Sequence, residues 1–406
     1  MNKKISLGSA IAYMAIVAAV AVSLTMIYSR NLFNQKLRDL SEREAMYSAV
    51  FELDQYVRSN YYKDVDDDQL NSSTMAGYIA GLGDPYARLM TAREYEVYQS
   101  EDGKYTGIGI VSELAADGYI RVAEVYPDSP AEAAGIAAGD LITSVDGVQG
   151  NSSEASYEEL AASFRGDAGT KITLVRRRGT EDITLELTRR QVEVPTIRSS
   201  TLSDGTGYIR ITGIGSSTGA QFEKAVKQME SDGVSALIFD VRGLETDSMK
   251  TVSDMLDILL PRITTVYITR ADGVMETLYT SDESSVPLPM VVLADESTKG
   301  ASEMFAYALR DCGAARVVGI KTFGKGSLQE VKKLRDGSAV MLTTAYYSGP
   351  AGGTYDLTGV TPDYEVELGV EAANRNNVLG DPELDVQLKK AQEVALSLAR
   401  AASNAS

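Results

Sequence analysis

Histidine is absent from all 406 residues, and cysteine occurs once, at Cys312. Histidine is the usual general base near neutral pH, so a Ser-His-Asp triad and a Cys-His pair are both excluded. Zinc sites built on histidine go with them, and one cysteine makes neither an intrachain disulfide nor a structural zinc cluster. Any general base has to be Lys, Asp, Glu or Tyr. Basic residues are outnumbered by acidic ones, 39 to 57, for a net charge of -18. A phosphate backbone needs a basic face, so no nucleic acid is expected as a partner. Two ligand motifs are begun and not completed. Asp64, Asp66 and Asp68 would need Gly at 69 and Glu at 75 to form a calcium loop, and the chain has Gln69 and Met75. Gly107 and Gly109 would need Gly at 112 for a dinucleotide fingerprint, and the chain has Ser112. No metal and no cofactor is expected.

What is present divides the chain into five stretches. Residues 5–29 carry no charge; about 20 apolar residues span a bilayer core, so this stretch is expected to be a transmembrane anchor. Residues 31–103 read as a helical region, with apolar residues at helical spacing at Leu37, Leu40, Met46, Val50, Leu53 and Val57. Residues 104–190 alternate as short strands: GYIRVAEV, DLITSVDG, KITLVRRRG and DITLELTR. Pro130 opens a short helix that Gly135 ends, and Asp146-Gly147 is a hairpin turn. The loop Gly107-Ile108-Gly109-Ile110 can present backbone N–H groups to a carboxylate, and the strand after it can pair with an extended peptide. Residues 191–370 alternate strand and helix, which implies right-handed crossovers on a mixed sheet. Residues 371–406 hold a terminal helix.

One lysine stands apart. Lys325 lies between Gly324 and Gly326 in KTFGKGSLQE. A nucleotide P-loop would put a hydroxyl at 326 and a helix after it. Instead the chain has Gly326, and SLQEVKKL runs to a turn at Asp336-Gly337 with SAVMLTTAYY as the returning strand. An exposed lysine in a glycine turn is one remaining reading, since most lysines are solvated. The other is a general base that deprotonates a serine, the common nucleophilic arrangement that needs no histidine.

The stretch GASEMFAYALRDCGAARVVGIKTFGKGSLQ resembles the catalytic segment of the carboxy-terminal processing proteases, or tail-specific proteases, with their S-A-S-E, V-V-G and T-F-G-K-G-x-x-Q pattern. GIGI and SPAEAAGIAAGDLITSVDG are similar to that family's PDZ domain. The resemblance covers roughly residues 45–390. With the anchor read from residues 5–29, it implies a multidomain α/β and β fold: N-terminal transmembrane helix, helical segment, PDZ domain, and a crotonase-like/ClpP-like α/β peptidase core with a mixed sheet. It implies Lys325 as general base, Gln329 as the residue that orients it, and the Gly107–Ile110 loop as the site for protein or peptide C-termini with apolar ends. It also implies an extracytoplasmic peptidase, which with that anchor gives an expected cell-membrane location, single-pass, with the bulk of the chain extracytoplasmic. The helices at 37–57 and 381–402 become candidate contacts in a homo-oligomer.

Two departures from the pattern bear on activity. The first serine of S-A-S-E, the family nucleophile, is Gly300 here, while Ala301, Ser302 and Glu303 are in place. The family's N-P-G-G, whose backbone N–H helps form the oxyanion hole, is replaced in the run Asp240-Val241-Arg242-Gly243-Leu244-Glu245-Thr246-Asp247. Loss of a serine nucleophile costs on the order of 10⁶ in turnover, and an oxyanion donor is worth about 3 kcal/mol more. The expectation is a peptide-binding pseudoprotease. The alternative is an active serine endopeptidase with a shifted nucleophile such as Ser302, which on a helix would point about 200° away from position 300. Ser297 and Thr298, ahead of the helix, read as capping residues.

Overall fold

A computed structural model describes residues 7–100, 105–151, 156–369, 379–381 and 383–405. The chain forms two compact units, Met1–Tyr78 and Ile79–Ser406. The first is helical: α1 is Leu7–Asn60, and α2, Asp67–Ala80, begins within it. The periodic apolar residues between 37 and 57 lie on α1. So does the uncharged run, apart from positions 5 and 6, which are outside the described residues. Among the described residues no helix is long and apolar enough to cross a membrane, so the transmembrane anchor expected at 5–29 is not supported. The run is rich in alanine, the best helix former, and has no proline. Its sequence specifies helix, and that helix continues without a break through the charged segment after Ser29.

The second unit opens with β1 (Arg88–Met90) and α3 (Ala92–Ser100). A β module follows. Its strands are β2 (Tyr105–Gly107), β3 (Ile110–Leu114), β4 (Ile120–Val125), β5 (Leu141–Val145), β6 (Val148–Gln149), β7 (Lys171–Arg178), β8 (Glu181–Thr188) and β9 (Arg190–Val192). The sheet runs β3-β4-β5-β7-β8 with β6 on β5, and β2 pairs with β9 where the chain enters and leaves. Alternation fixes the inner face: Ile120, Val122, Ile142, Ile172 and Leu174 all point into one core. Two short helices cover it, α4 (Pro130–Ala133) and α5 (Tyr157–Ala162). Ser129 Oγ caps α4 by accepting from Glu132 N, and Pro130 supplies the first turn.

The α/β part is a three-layer body. Its strands are β10 (Ile197–Thr201), β11 (Gly207–Ile211), β12 (Leu237–Asp240), β13 (Glu245–Thr246), β14 (Thr264–Arg270), β15 (Met275–Thr280), β16 (Met290–Ala294), β17 (Lys299–Gly300), β18 (Ala315–Gly319), β19 (Ser327–Lys333), β20 (Ala339–Ser348) and β21 (Tyr364–Glu365). Its helices are α6 (Thr218–Ser231), α7 (Met249–Leu259), α8 (Ala301–Asp311) and α9 (Val386–Ala405). The central sheet runs β10-β11-β12-β16-β18-β21, parallel except for β10. Its central strands β12 and β16 are buried on both faces, as parallel strands usually are. Phe239 and Val292 meet α6, α7 and α8, whereas Ile238, Val291 and Leu293 meet Leu388, Ala391 and Ala395 of α9. β14 does not join this sheet. It pairs with the hairpin strand β15 and with β20 in a second, antiparallel sheet that also holds β1 and β19. The β19–β20 pairing is the hairpin read from the turn at Asp336-Gly337.

Candidate active site

Parallel strands end on one side of the sheet, where the loops after β12 and β16 come together. The loop after β12 leads into β13, and the loop after β16 into β17. These two short strands pair in parallel, Glu245 with Lys299 and Thr246 with Gly300. Gly300 is therefore both a ladder partner of Thr246 and the residue that opens α8. It has φ 80 and ψ -129, a conformation that disfavours every residue with a Cβ. A Cβ built on it would lie 2.3 Å from the Thr246 carbonyl oxygen. That contact is with backbone, so a side chain at 300 requires the 245–247 segment to move. The Gly300 carbonyl accepts from Tyr355 Oη at 3.0 Å. Tyr355 is fully buried, and burial, with Glu303 adding to it, pushes the phenol well above its ordinary value. It is a donor here.

Glu303 ties α8 to the lysine loop. Its carboxylate is buried and accepts from four groups: Gly300 N at 3.1 Å, Gly324 N at 2.6 Å, Lys325 N at 2.8 Å, and the Thr322 hydroxyl. The loop is also pressed from the other side. A Cβ at 326 would lie 2.7 Å from Asp356 N, so glycine there lets the 355–359 segment lie against it. Asp356 accepts from Gly326 N at 2.8 Å, and its carboxyl is raised by burial. Lys325 is held at the tip with its side chain 9% exposed. Its Nζ donates to both carboxylate oxygens of Asp247, at 2.6 and 2.8 Å, and stands 5.3 Å from the centre of the Tyr86 ring. Its amine is thereby directed at the Asp247 carboxylate.

The other expected residues are placed as follows. Ser302 is fully buried. Its hydroxyl accepts from Lys299 N at 3.0 Å and donates toward the carbonyls of Leu244, at 2.5 Å, and Lys299, at 2.9 Å. It is a joint between the two loops, with its hydroxyl engaged by their backbone groups. Thr298 is equally buried and donates to Val241 O, while accepting from Asp295 N. Gln329 donates to Ser327 Oγ and Thr343 Oγ1, across the β19–β20 hairpin; none of its described hydrogen bonds reaches Lys325. In the Gly107–Ile110 loop the side chain of Ile108 is in the β-module core, not on a groove, and that of Ile110 is almost as buried. Ile108 N donates to Phe164 O at 3.1 Å, so this N–H is not offered to a ligand as the sequence suggested. Gly107 belongs to the β2–β9 pair, and Gly109 O accepts from Tyr126 N.

Three residues that the sequence did not single out shape this site: Thr246, Asp247 and Tyr355. Asp247 is 78 positions from Lys325, and no spacing rule links them. The only available signal was the carboxylate standing inside the run that lacks the paired glycines. A fourth feature fixes the end of β12. Arg242 is fully buried and pairs with Asp240 and Asp385, both at 2.7 Å, and with Gln387 at 2.8 Å. Tyr208 Oη donates to Asp240 at 2.6 Å. This network clamps α9 to the sheet beneath the loop that carries Thr246 and Asp247.

The peptidase family S41 signature matches residues 205–366, and a PDZ domain signature matches residues 121–178. The carboxy-terminal processing protease CtpA of Bacillus subtilis (strain 168) is 30% identical over 358 residues, covering 87% of this chain and 76% of that protein. The chloroplastic carboxyl-terminal-processing peptidase 3 of Arabidopsis thaliana is 32% identical over 310 residues, which are 72% of this chain and 59% of that one. Among solved structures, a photosystem II D1 C-terminal processing protease is similar with a TM-score of 0.50 and 26% identity, over 83% of this chain and 92% of that one.

Proposed function

Since the chain belongs to the carboxy-terminal processing proteases of peptidase family S41 and carries their PDZ domain, we propose that it is a non-catalytic member that binds polypeptide C-termini. The observation that carries this reading is the pairing of Thr246 with Gly300. The backbone fills the space of a nucleophile side chain, and the neighbouring Asp247 carboxylate engages the Lys325 amine at both oxygens. Both features bear on the same chemistry, since a serine needs room at 300 and a base within its reach. The names of the relatives supply the substrate class. An extracytoplasmic location and self-association belong to the same reading. The support for self-association is the exposed Val50, Phe51 and Leu53 on α1. Protease shaving of intact cells and sedimentation of the purified chain check them.

The test incubates the purified full chain with an unstructured protein ending in apolar residues, and follows fragments by mass spectrometry. Peptide binding is measured beside it, with one peptide as the free acid and the same peptide amidated. The expected result is no cleavage, with binding that needs the free carboxylate. Cleavage that disappears in Lys325→Ala would show a working enzyme and overturn the proposal.

A further inference from the structure

β3 is the outermost strand of its sheet and is paired only with β4 among the described strands. In an antiparallel ladder, successive residues turn their N–H and C=O alternately to the two sides. Gly109 O accepts from Tyr126 N, and Ala115 N donates to Tyr119 O, so the odd-numbered residues face β4. The irregularity between Val111 and Ser112 places its extra residue on β4, which leaves the alternation along β3 intact. Ile110, Ser112 and Leu114 therefore turn their backbone groups to the open edge. An extended chain added to that edge would use the Ser112 carbonyl as an acceptor.

That carbonyl is already taken. Tyr157, the first residue of α5, donates its hydroxyl to Ser112 O at 2.6 Å, and Tyr157 Oη lies 3.2 Å from Ser112 Oγ. The Tyr157 ring packs against the β-module core, so the hydroxyl is held in place rather than reaching out of solvent. We propose that Tyr157 gates this edge: it occupies the acceptor that a docking strand requires, and a ligand has to displace it. The gate rests on the proposed binding of polypeptide C-termini. It also has a use in the free chain, because an uncapped edge strand is a template for unwanted pairing.

The test is a fluorescence-anisotropy titration of the full chain with a labelled peptide ending in Val-Ala-Ala as the free acid. Tyr157→Phe keeps the ring and removes the hydroxyl. It should bind about 3- to 10-fold more tightly than the unmodified chain, the range that one net hydrogen bond commands. Tyr157→Leu, which removes the hydroxyl by a different route, should shift in the same direction. Binding by the unmodified chain that is unchanged or weaker in both variants would overturn the gate and leave the binding function standing. Absence of binding in all three forms would overturn the gate together with the function it rests on.

Discussion

Gly300 marks what a single residue decides here. A serine at this position would carry its Cβ to within 2.3 Å of the Thr246 oxygen and would have to hold φ near 80. Each strain of this kind costs about 1–3 kcal/mol. Gly300→Ser is therefore expected to lower stability by roughly 2 kcal/mol in urea unfolding and to show no peptidase activity. Hydrolysis by that variant would mean that the 245–247 segment yields easily. Glu303 is the second decisive residue. Removing its carboxylate leaves two loop N–H groups, a helix N–H and a hydroxyl without their acceptor. Buried donors left unpaired cost about 1–3 kcal/mol each before the structure relaxes. Glu303→Ala should thus destabilise the chain by about 3 kcal/mol or more, read as a lower Tm. The glutamate of S-A-S-E consequently has a structural reason to stand here whether or not a serine precedes it.

At the scale of elements, α9 is attached to the central sheet through the Arg242 network as well as through its apolar face. Breaking a buried ion pair from one side strands the other charge, at a cost of about 3–5 kcal/mol. Arg242→Met alone should show that loss in urea unfolding; a loss under about 1 kcal/mol would mean that the network is solvated when the partner goes. The same network sets a pH dependence. Burial by itself would raise the Asp240 carboxyl, but Arg242, by charge and hydrogen bonds, together with the Tyr208 hydroxyl, outweighs burial and holds it below the ordinary value. A carboxyl lowered in the folded chain contributes stability that is complete above its unfolded value of about 4 and is lost as pH falls through the folded one. Asp140, where burial is offset by Arg178 and Ala137 N, adds to the same trend. The urea midpoint should be flat down to about pH 4 on this account and then drop. Asp240→Asn should remove part of the drop, and an unchanged acid limb would show that other groups dominate.

For the whole molecule, the charge balance and the joint between modules matter most. Among the described residues, the β2–β9 passage and the side-chain pair of Arg198 with Glu124 at 2.5 Å, half-exposed on the arginine side, link the β module to the α/β body. Exposed pairs of this kind are worth about 0–1 kcal/mol. Arg198→Ala should therefore change global stability by under about 1 kcal/mol, and a larger loss measured by calorimetry would mean that the two modules unfold as one through this contact.

The order of strands and helices, the hairpin after Lys325, the short helix at Pro130 and the absence of a hydroxyl at 300 were legible from residues alone. Each depends on neighbours within a turn or a strand, where periodicity, proline and glycine act directly. The sequence left open which sheet β14 joins, because an apolar strand does not say so. It misled at the N-terminal side, where it read an uncharged run as a membrane span and the described residues give a helix continuous with a charged one. Composition by itself settled that no histidine chemistry operates. Only the tertiary structure brought Thr246 onto Gly300, Asp247 onto Lys325 and Tyr157 onto Ser112. These partners are 45 to 78 positions apart, or meet through a two-residue ladder. The path of the loops fixes such encounters, and that path is set by the packed body beneath them, not by local preference.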